Sequence, residues 1–438
     1  MKVTKLKTFD RKSIDYSWSF VNKTQKDTSY ITHSYYTYPA KFIPQLASRL
    51  INLYSKPLDI IIDPFMGSGT TMVESLINNR LCIGVDINEI AYLVAKVKTM
   101  PLNLNLLHKE YNQIRQTLNF NNNQSLLNFQ AKEEEDLLKK AEQVIPNNEK
   151  IDYWFKSKQK KELSVILYSI FQIENKDIKD FFLVAFAQIL KTASIWLQKS
   201  IKPTRDKNKK ETDCYILFLN QVEKMIQKHQ QYNTMLNDKI LKNPEVYINI
   251  SCGDSRFLPI EESKGNLIIT SPPYVTSYEY ADLHQLPSLW FGFLDSLSEF
   301  RKKFIGSSSK ERIDIDIKSN LAKNIINQLE NKKAKEVKNY YADMLESFIE
   351  MNRVLKPKGK ACIVIGNTKF KGIDILNAEV FAEQMQNIGF RIFDIIHREV
   401  PSKMLPSTRD SKTGRFAKVS QMDKLVYPTE YILIMEKI

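Results

Sequence analysis

Cysteine is scarce: four residues, Cys82, Cys214, Cys252 and Cys362, occur in 438. None is spaced as C-x-x-C, which argues against a disulfide framework and against a thiolate zinc site. The five histidines include no pair at ligand spacing, so no metal site is expected. No apolar run is long enough to span a bilayer, and the N-terminus carries no signal-peptide core. The expected location is therefore the cytoplasm, without a membrane partner. Glycine is also thin, with 12 residues, and the stretch 100–245 is nearly free of it. A G-x-x-x-x-G-K-[ST] loop is absent, so the chain lacks the usual cradle for a nucleotide triphosphate. There are no internal repeats.

Acidic residues are in deficit, 50 against 64 Lys and Arg, giving a net charge of +14 and a pI near 9.2. A balance this basic favours polyanionic partners, because neutralised phosphates release counterions. A hydrophobic content of 43% is ample for a large core or two, and excludes a disordered chain.

Two short stretches are set against this background. In DIIIDPFMGSGTTMVESLINNRLCIGVDIN (59–88), a strand runs into a glycine turn, a helix and a second strand that ends on Asp86. That order is the signature of a nucleotide-cofactor half-fold. Gly67 and Gly69 let backbone approach a ligand, and Asp86 is placed to accept hydrogen bonds from ribose hydroxyls. The spacing G-S-G-T-T departs from G-x-G-x-x-G, which tells against a pyrophosphate. A ligand with adenine and ribose but no phosphate, S-adenosylmethionine, fits better. In NLIITSPPYVTSYEY (266–280), a buried strand breaks at Pro272 and Pro273, which have no N–H and a fixed φ. Ser271 and the carbonyls of Ser271 and Pro272 become acceptors beside the flat face of Tyr274, an arrangement suited to a planar, amino-bearing base.

Around these stretches the periodicities predict an α/β fold with helices in register. THSYYTYPAKFIPQLASRLINLY (32–54) is an aromatic loop followed by a helix starting near Pro44. Residues 101–244 read as an inserted helical subdomain, with aromatics in IDYWF (151–155) beside a basic loop at 199–210. Acids follow the second and third strands, Asp86 and Asp254, both at carboxyl ends, where ligands bind in parallel sheets. Residues 306–338, polar and charged, read as a mobile loop or a second insert, and Lys356–Gly359 as a turn before a strand. KMLPSTRDSKTGRF (403–416) reads as a basic loop. The expected division is a cofactor half (1–100), the helical insert (101–244) and a catalytic half (245–438).

The chain resembles S-adenosylmethionine-dependent DNA amino-methyltransferases of restriction–modification type over 32–100, 245–305 and 340–438. DPFMGSGTT matches the family's cofactor motif, VDI its ribose motif, CGDSR the motif near adenine, and YPAKFIP the segment flanking the methionine end. TSPPY matches the catalytic motif in the form most typical of cytosine-N4 enzymes. The resemblance implies a Rossmann-like seven-stranded methyltransferase sheet with helices on both faces. It assigns Tyr38, Pro39, Phe42, Asp63, Pro64, Phe65, Gly67, Gly69, Thr70, Asp86, Ile87, Asp254 and Ser255 to the cofactor. Ser271, Pro272, Pro273 and Tyr274 are the catalytic set. Position and charge nominate Lys202, Arg205, Lys403, Arg409, Lys412 and Arg415 for nucleic acid. The expected reaction is methylation of N4 of a flipped-out cytosine in double-stranded DNA, with a cognate restriction endonuclease as a companion to look for. Adenine-N6 methylation, RNA methylation and silent nucleic-acid binding stand as alternatives.

Overall fold

The computed structural model describes residues 9, 12–38, 41–120, 128–200, 202–275, 280–293, 301–307, 316–370, 372–400, 408–409, 424–425 and 429–438. Seven strands form one sheet: β1 (Ile60–Asp63), β2 (Leu81–Asp86), β3 (Ile248–Cys252), β4 (Gly265–Thr270), β5 (Leu355–Ile365), β6 (Phe390–Glu399) and β7 (Thr429–Lys437). Their spatial order is β3-β2-β1-β4-β5-β7-β6. Strands β3 through β5 pair in parallel, and β7 runs antiparallel to both β5 and β6. This is the expected Rossmann-like α/β sheet. Its order reverses beside β1, so the carboxyl ends of β1 and β4 leave side by side at the edge where ligands bind.

Strand alternation distributes the core to two faces. Ile61, Leu267, Ile269, Cys362, Val364, Ile432 and Ile434 pack with Leu46, Leu50 and Ile51 of helix α1 (Pro44–Tyr54). Their neighbours Ile62, Ile268, Ile363, Ile365 and Leu433 pack on the other face. There they meet Tyr341, Met344 and Phe348 of helix α5 (Asn331–Val354) and Phe381 of helix α6 (Asn377–Gln386). Pro44 opens α1 as expected, since its missing N–H is one the first turn leaves unpaired anyway.

Helix α2 (Thr70–Ile77) follows β1, and helix α3 (Glu89–Thr99) follows β2, capped by the Asn88 side chain accepting from the Ile90 N–H at 2.9 Å. The region between α3 and β3 is helical, as the periodicity predicted. Its longest elements are Lys176–Ala193 and helix α4 (Cys214–Met235). They share one cluster with Ile90, Val94 and Val97 of α3, and with Leu286, Leu289 and Trp290 beyond the SPPY stretch. The insert is thus welded to the body of the protein.

Two local expectations are corrected. Within 306–338, the described residues 316–338 are not a loop: they contain the helix Asn320–Asn327 and the start of α5. Leu321, Ala322 and Ile325 of that short helix are buried, and its Ser319 cap donates to Glu383 at 2.6 Å. Two apolar residues one turn apart are enough to dock a helix, but the surrounding Lys and Asn hid them. The Lys356–Gly359 turn lies inside β5, where a register shift and the positive φ of Lys358 (64°) absorb it.

Candidate active site

The two proline-containing turns lie against each other. Asp63, the last residue of β1, is buried, and Thr270, the last residue of β4, donates its hydroxyl to Asp63 Oδ1 at 2.6 Å. The Phe65 N–H donates to the same oxygen at 3.1 Å. Burial pushes the Asp63 carboxyl up to about 7, and the Thr270 bond partly opposes that rise. The DPFMGSG and SPPY turns therefore emerge from one clasp. Thr70 and Thr71 open α2 directly after the glycine turn, and the Thr71 hydroxyl reaches the Ile269 carbonyl at 3.3 Å.

The glycine turn is tight for identifiable reasons. Gly67 has φ +49° and sits so close to the Tyr38 ring that a Cβ would meet it at 3.2 Å. Gly69 has φ +74°, and a Cβ there would lie 2.9 Å from the Ala95 Cβ on α3. Gly69→Ala is expected to destabilise the fold by roughly 1–3 kcal/mol through left-handed strain and this overlap, read as a lower urea midpoint with an unchanged slope. From beneath, the buried Lys98 of α3 donates to the Ser68 carbonyl at 2.5 Å. Burial holds its ammonium well below the usual lysine range.

Asp86, half-buried at the end of β2, accepts from the Gly67 N–H at 2.8 Å through Oδ2 and from the Asn88 N–H at 2.9 Å through Oδ1. Burial raises its carboxyl to about 6, against the pull of these two donors. Each oxygen keeps a lone pair for a further donor. At the start of α2 the Ser68 and Thr70 hydroxyls are buried without a protein partner, which marks a turn built to meet a ligand. Together with close backbone approach at Gly67, these groups fit an adenosine-bearing ligand. Nothing in the turn supplies a cation for a phosphate.

The other expected cofactor residues fall around this turn unevenly. Tyr38 stacks on the buried His284 (centroids 4.7 Å apart, 28°), and the Tyr36 hydroxyl lies 3.3 Å from His284 Nδ1. Burial lowers His284 to about 4, so it is neutral. Pro64 is buried, and Phe65 packs toward the α5 face. Phe42 packs instead with the α1 cluster on the opposite sheet face. Ile87 is half-buried, and its carbonyl lies 3.8 Å from Cys252 Sγ. Asp254 is gripped by Arg256, whose Nε lies 2.9 Å from Oδ1, and Ser255 turns inward to Ser347 Oγ at 2.9 Å. Pro39 lies outside the described residues.

In the SPPY turn, the Ser271 hydroxyl donates to the Val364 carbonyl at 3.0 Å, which leaves its oxygen as an acceptor. Pro272 is buried. Tyr274 donates to Glu430 Oε2 at 3.2 Å, and its ring passes the Gly366 backbone, where a Cβ would come within 3.2 Å. Arg256, in the CGDSR motif, and Thr270, at the head of TSPPY, also hold these turns; their signals in the sequence are the charge of Arg256 after a strand and the place of Thr270 at a strand end. His284 had no such signal, because its partners lie nearly 250 residues upstream.

Of the nucleic-acid candidates, Arg205 bridges by backbone to Trp196 and lays its guanidinium 4.0 Å over the half-exposed ring of Tyr153. Lys202 is exposed. Arg409 lies in a two-residue strand paired with Lys424–Leu425. Lys403, Lys412 and Arg415 lie outside the described residues.

Comparison with known proteins agrees with this architecture. The DNA methylase family model for N6 and N4 enzymes matches residues 2–97 and 266–438, leaving the helical insert unmatched. The chain is 26% identical to the Type II methyltransferase M.MvaI of Kocuria varians, across 95% of this chain and 93% of the relative. It is 23% identical to the Type II methyltransferase M.MjaII of Methanocaldococcus jannaschii (81% and 76%), and 24% identical to the Type II methyltransferase M.BsoBI of Geobacillus stearothermophilus (89% and 83%). The chain belongs to the N6/N4 DNA methylase family, and its cofactor is S-adenosylmethionine.

Proposed function

We propose that the protein is a site-specific DNA methyltransferase that acts on the exocyclic N4 amino group of cytosine in duplex DNA. The observation that carries this reading is the clasp of Thr270 on Asp63, which sets an acceptor-lined proline turn directly beside the glycine turn. S-adenosylmethionine, when bound, would supply a methyl group on positively charged sulfur; as the amino lone pair forms the N–C bond the C–S electrons return to sulfur, and the methylated amino group then loses its extra proton to water.

The residues do the rest by position. An exocyclic amino group is a poor nucleophile because its lone pair is delocalised into the ring. The Ser271 oxygen, its own proton committed to Val364, accepts one amino N–H, and the Pro272 carbonyl accepts the other. Two acceptors so arranged favour a pyramidal nitrogen with a localised pair. Catalysis is then orientation and charge complementarity, with no covalent enzyme intermediate. Cys82, Cys214 and Cys362 are buried, and burial pushes all three thiols up, so none serves as a nucleophile. The target base leaves the duplex at a cost of a few kcal/mol and stacks on Tyr274. The TSPPY form of the motif, with Ser271, favours cytosine, and the Type II names of the relatives favour a defined recognition site. The exposed Lys202 and the Arg205–Tyr153 pair offer a cation with an aromatic face for the strand.

The deciding measurement is mass spectrometry of nucleosides from unmethylated plasmid DNA incubated with the protein and labelled cofactor. N4-methylcytosine is expected. N6-methyladenine would transfer the reading to adenine, and label entering only RNA would overturn the DNA assignment.

A further inference from the structure

The catalytic turn has an anchoring problem. Pro272 and Pro273 carry no N–H, so at these positions the backbone can be held only through its carbonyls. An acceptor can be fixed only by a donor from elsewhere. That donor is Tyr340 of α5, whose hydroxyl reaches the Pro273 carbonyl at 2.8 Å. Its ring is buried, lies nearly parallel to Phe381 with centroids 6.1 Å apart, and backs onto Gly306, where a Cβ would come within 3.0 Å of the Tyr340 Cβ. The phenol is therefore a rigid post with its tip on the proline turn.

The same helix face holds the cofactor side. Residues at i, i+3, i+7 and i+10 share a stripe on a helix. Along this one, Tyr340 meets Pro273, and Asp343 pairs with Arg256 at 2.8 Å, which in turn grips Asp254. Ser347 meets Ser255 at 2.9 Å, and Glu350 accepts from the Leu258 N–H at 2.8 Å. The turn after β3 and the turn after β4 are thus registered against one ruler, and Tyr340 is the residue of this stripe whose side chain holds the Pro273 carbonyl.

We propose that Tyr340 is a positioning residue for methyl transfer: by occupying the Pro273 carbonyl it fixes the orientation of the Ser271–Pro272 acceptors. This inference rests on the functional reading above. It assigns Pro273 to anchoring and leaves Ser271 and Pro272 for the substrate amino group. Tyr340 acts on the turn alone, so losing its hydroxyl leaves ground-state binding intact and slows the chemical step.

The test is Tyr340→Phe, which keeps the ring and its packing, compared with Tyr111→Phe as a matched control. Tyr111 is also buried and donates its hydroxyl to Glu223 within the helical insert, away from the turn. Single-turnover transfer to unmethylated plasmid DNA, at saturating cofactor and DNA, is expected to fall about tenfold or more in Y340F, because small misplacements of reacting groups are costly. Dissociation constants for S-adenosylhomocysteine and for DNA should stay within twofold of wild type. Y111F should match Y340F in thermal stability yet keep the wild-type rate. An unchanged rate in Y340F, an equal slowing in Y111F, or recovery at higher cofactor concentration overturns the role. A wild-type protein that methylates no DNA overturns the parent reading instead.

Discussion

Tyr274→Ala is expected to cut single-turnover methylation of DNA by about 5- to 150-fold, while cofactor affinity measured by titration stays unchanged. The range follows from base stacking on an aromatic face, ~1–3 kcal/mol, lost when a flipped base meets a methyl group in place of a ring. Tyr274 is held from the far side of the turn: its hydroxyl donates to Glu430 on β7, and its ring lies along the Gly366 backbone. Gly366 admits the ring because it has no side chain. Tyr274→Phe separates the two roles. It loses the Glu430 bond and keeps the face, so its rate should fall clearly less than that of Tyr274→Ala. A drop in cofactor affinity as large as the drop in rate would move Tyr274 out of the base pocket.

The sequence made the sheet and its edge legible because each strand end carries its own punctuation. β1 ends on Asp-Pro before two glycines, β2 on an acid, and β4 on two prolines, and each break fixes where a turn must leave the sheet. The helical insert was legible from periodicity. What the sequence hid is contact at long range. Nothing local marks Tyr340 as the anchor of a turn 67 residues upstream, or His284 as the face on which Tyr38 stacks. The docked helix Asn320–Asn327 is hidden in the sequence for a related reason: its apolar side is short, and its polar flank dominates the composition. Phe42 shows the converse, since a motif residue can pack into the core while its neighbour four positions away, Tyr38, lines the glycine turn.

The glycine turn is also gripped from two directions, which explains how two positive-φ residues stay ordered. Lys98 holds the Ser68 carbonyl from below, and Asp86 holds the Gly67 N–H from the side. The ammonium is one of several buried titratable groups there. Glu74, on α2, is pushed up to about 7 by burial; it accepts from the Tyr30 hydroxyl and lies 2.8 Å from His33 Nε2. Buried polar groups thus gather beneath the turn, while the Ser68 and Thr70 hydroxyls beside it are buried without a protein partner.

Asp86→Ala is expected to raise the cofactor dissociation constant by about 10- to 150-fold, the loss of ~1.5–3 kcal/mol that hydrogen bonds to a charged acceptor provide, with DNA affinity intact. Two effects combine. The ribose hydroxyls lose their acceptor, and the Gly67 N–H loses the carboxylate that holds the turn in its bound shape. Acidity should mimic the mutation. The free carboxyl titrates near 6 because burial raises it, and a ligand that donates to it prefers the ionised form. Binding therefore lowers the pKa of Asp86, and affinity is full above about pH 6. As pH falls below that value the proton competes with the ribose, and affinity declines by up to tenfold per unit. Asp86→Asn cannot titrate, so its affinity, already weak, should be flat from pH 5 to 8. If the wild type were equally flat, or the Asn variant kept the slope, the pH dependence would have to come from another group, with Asp63, raised to about 7 behind the Thr270 clasp, the first to replace.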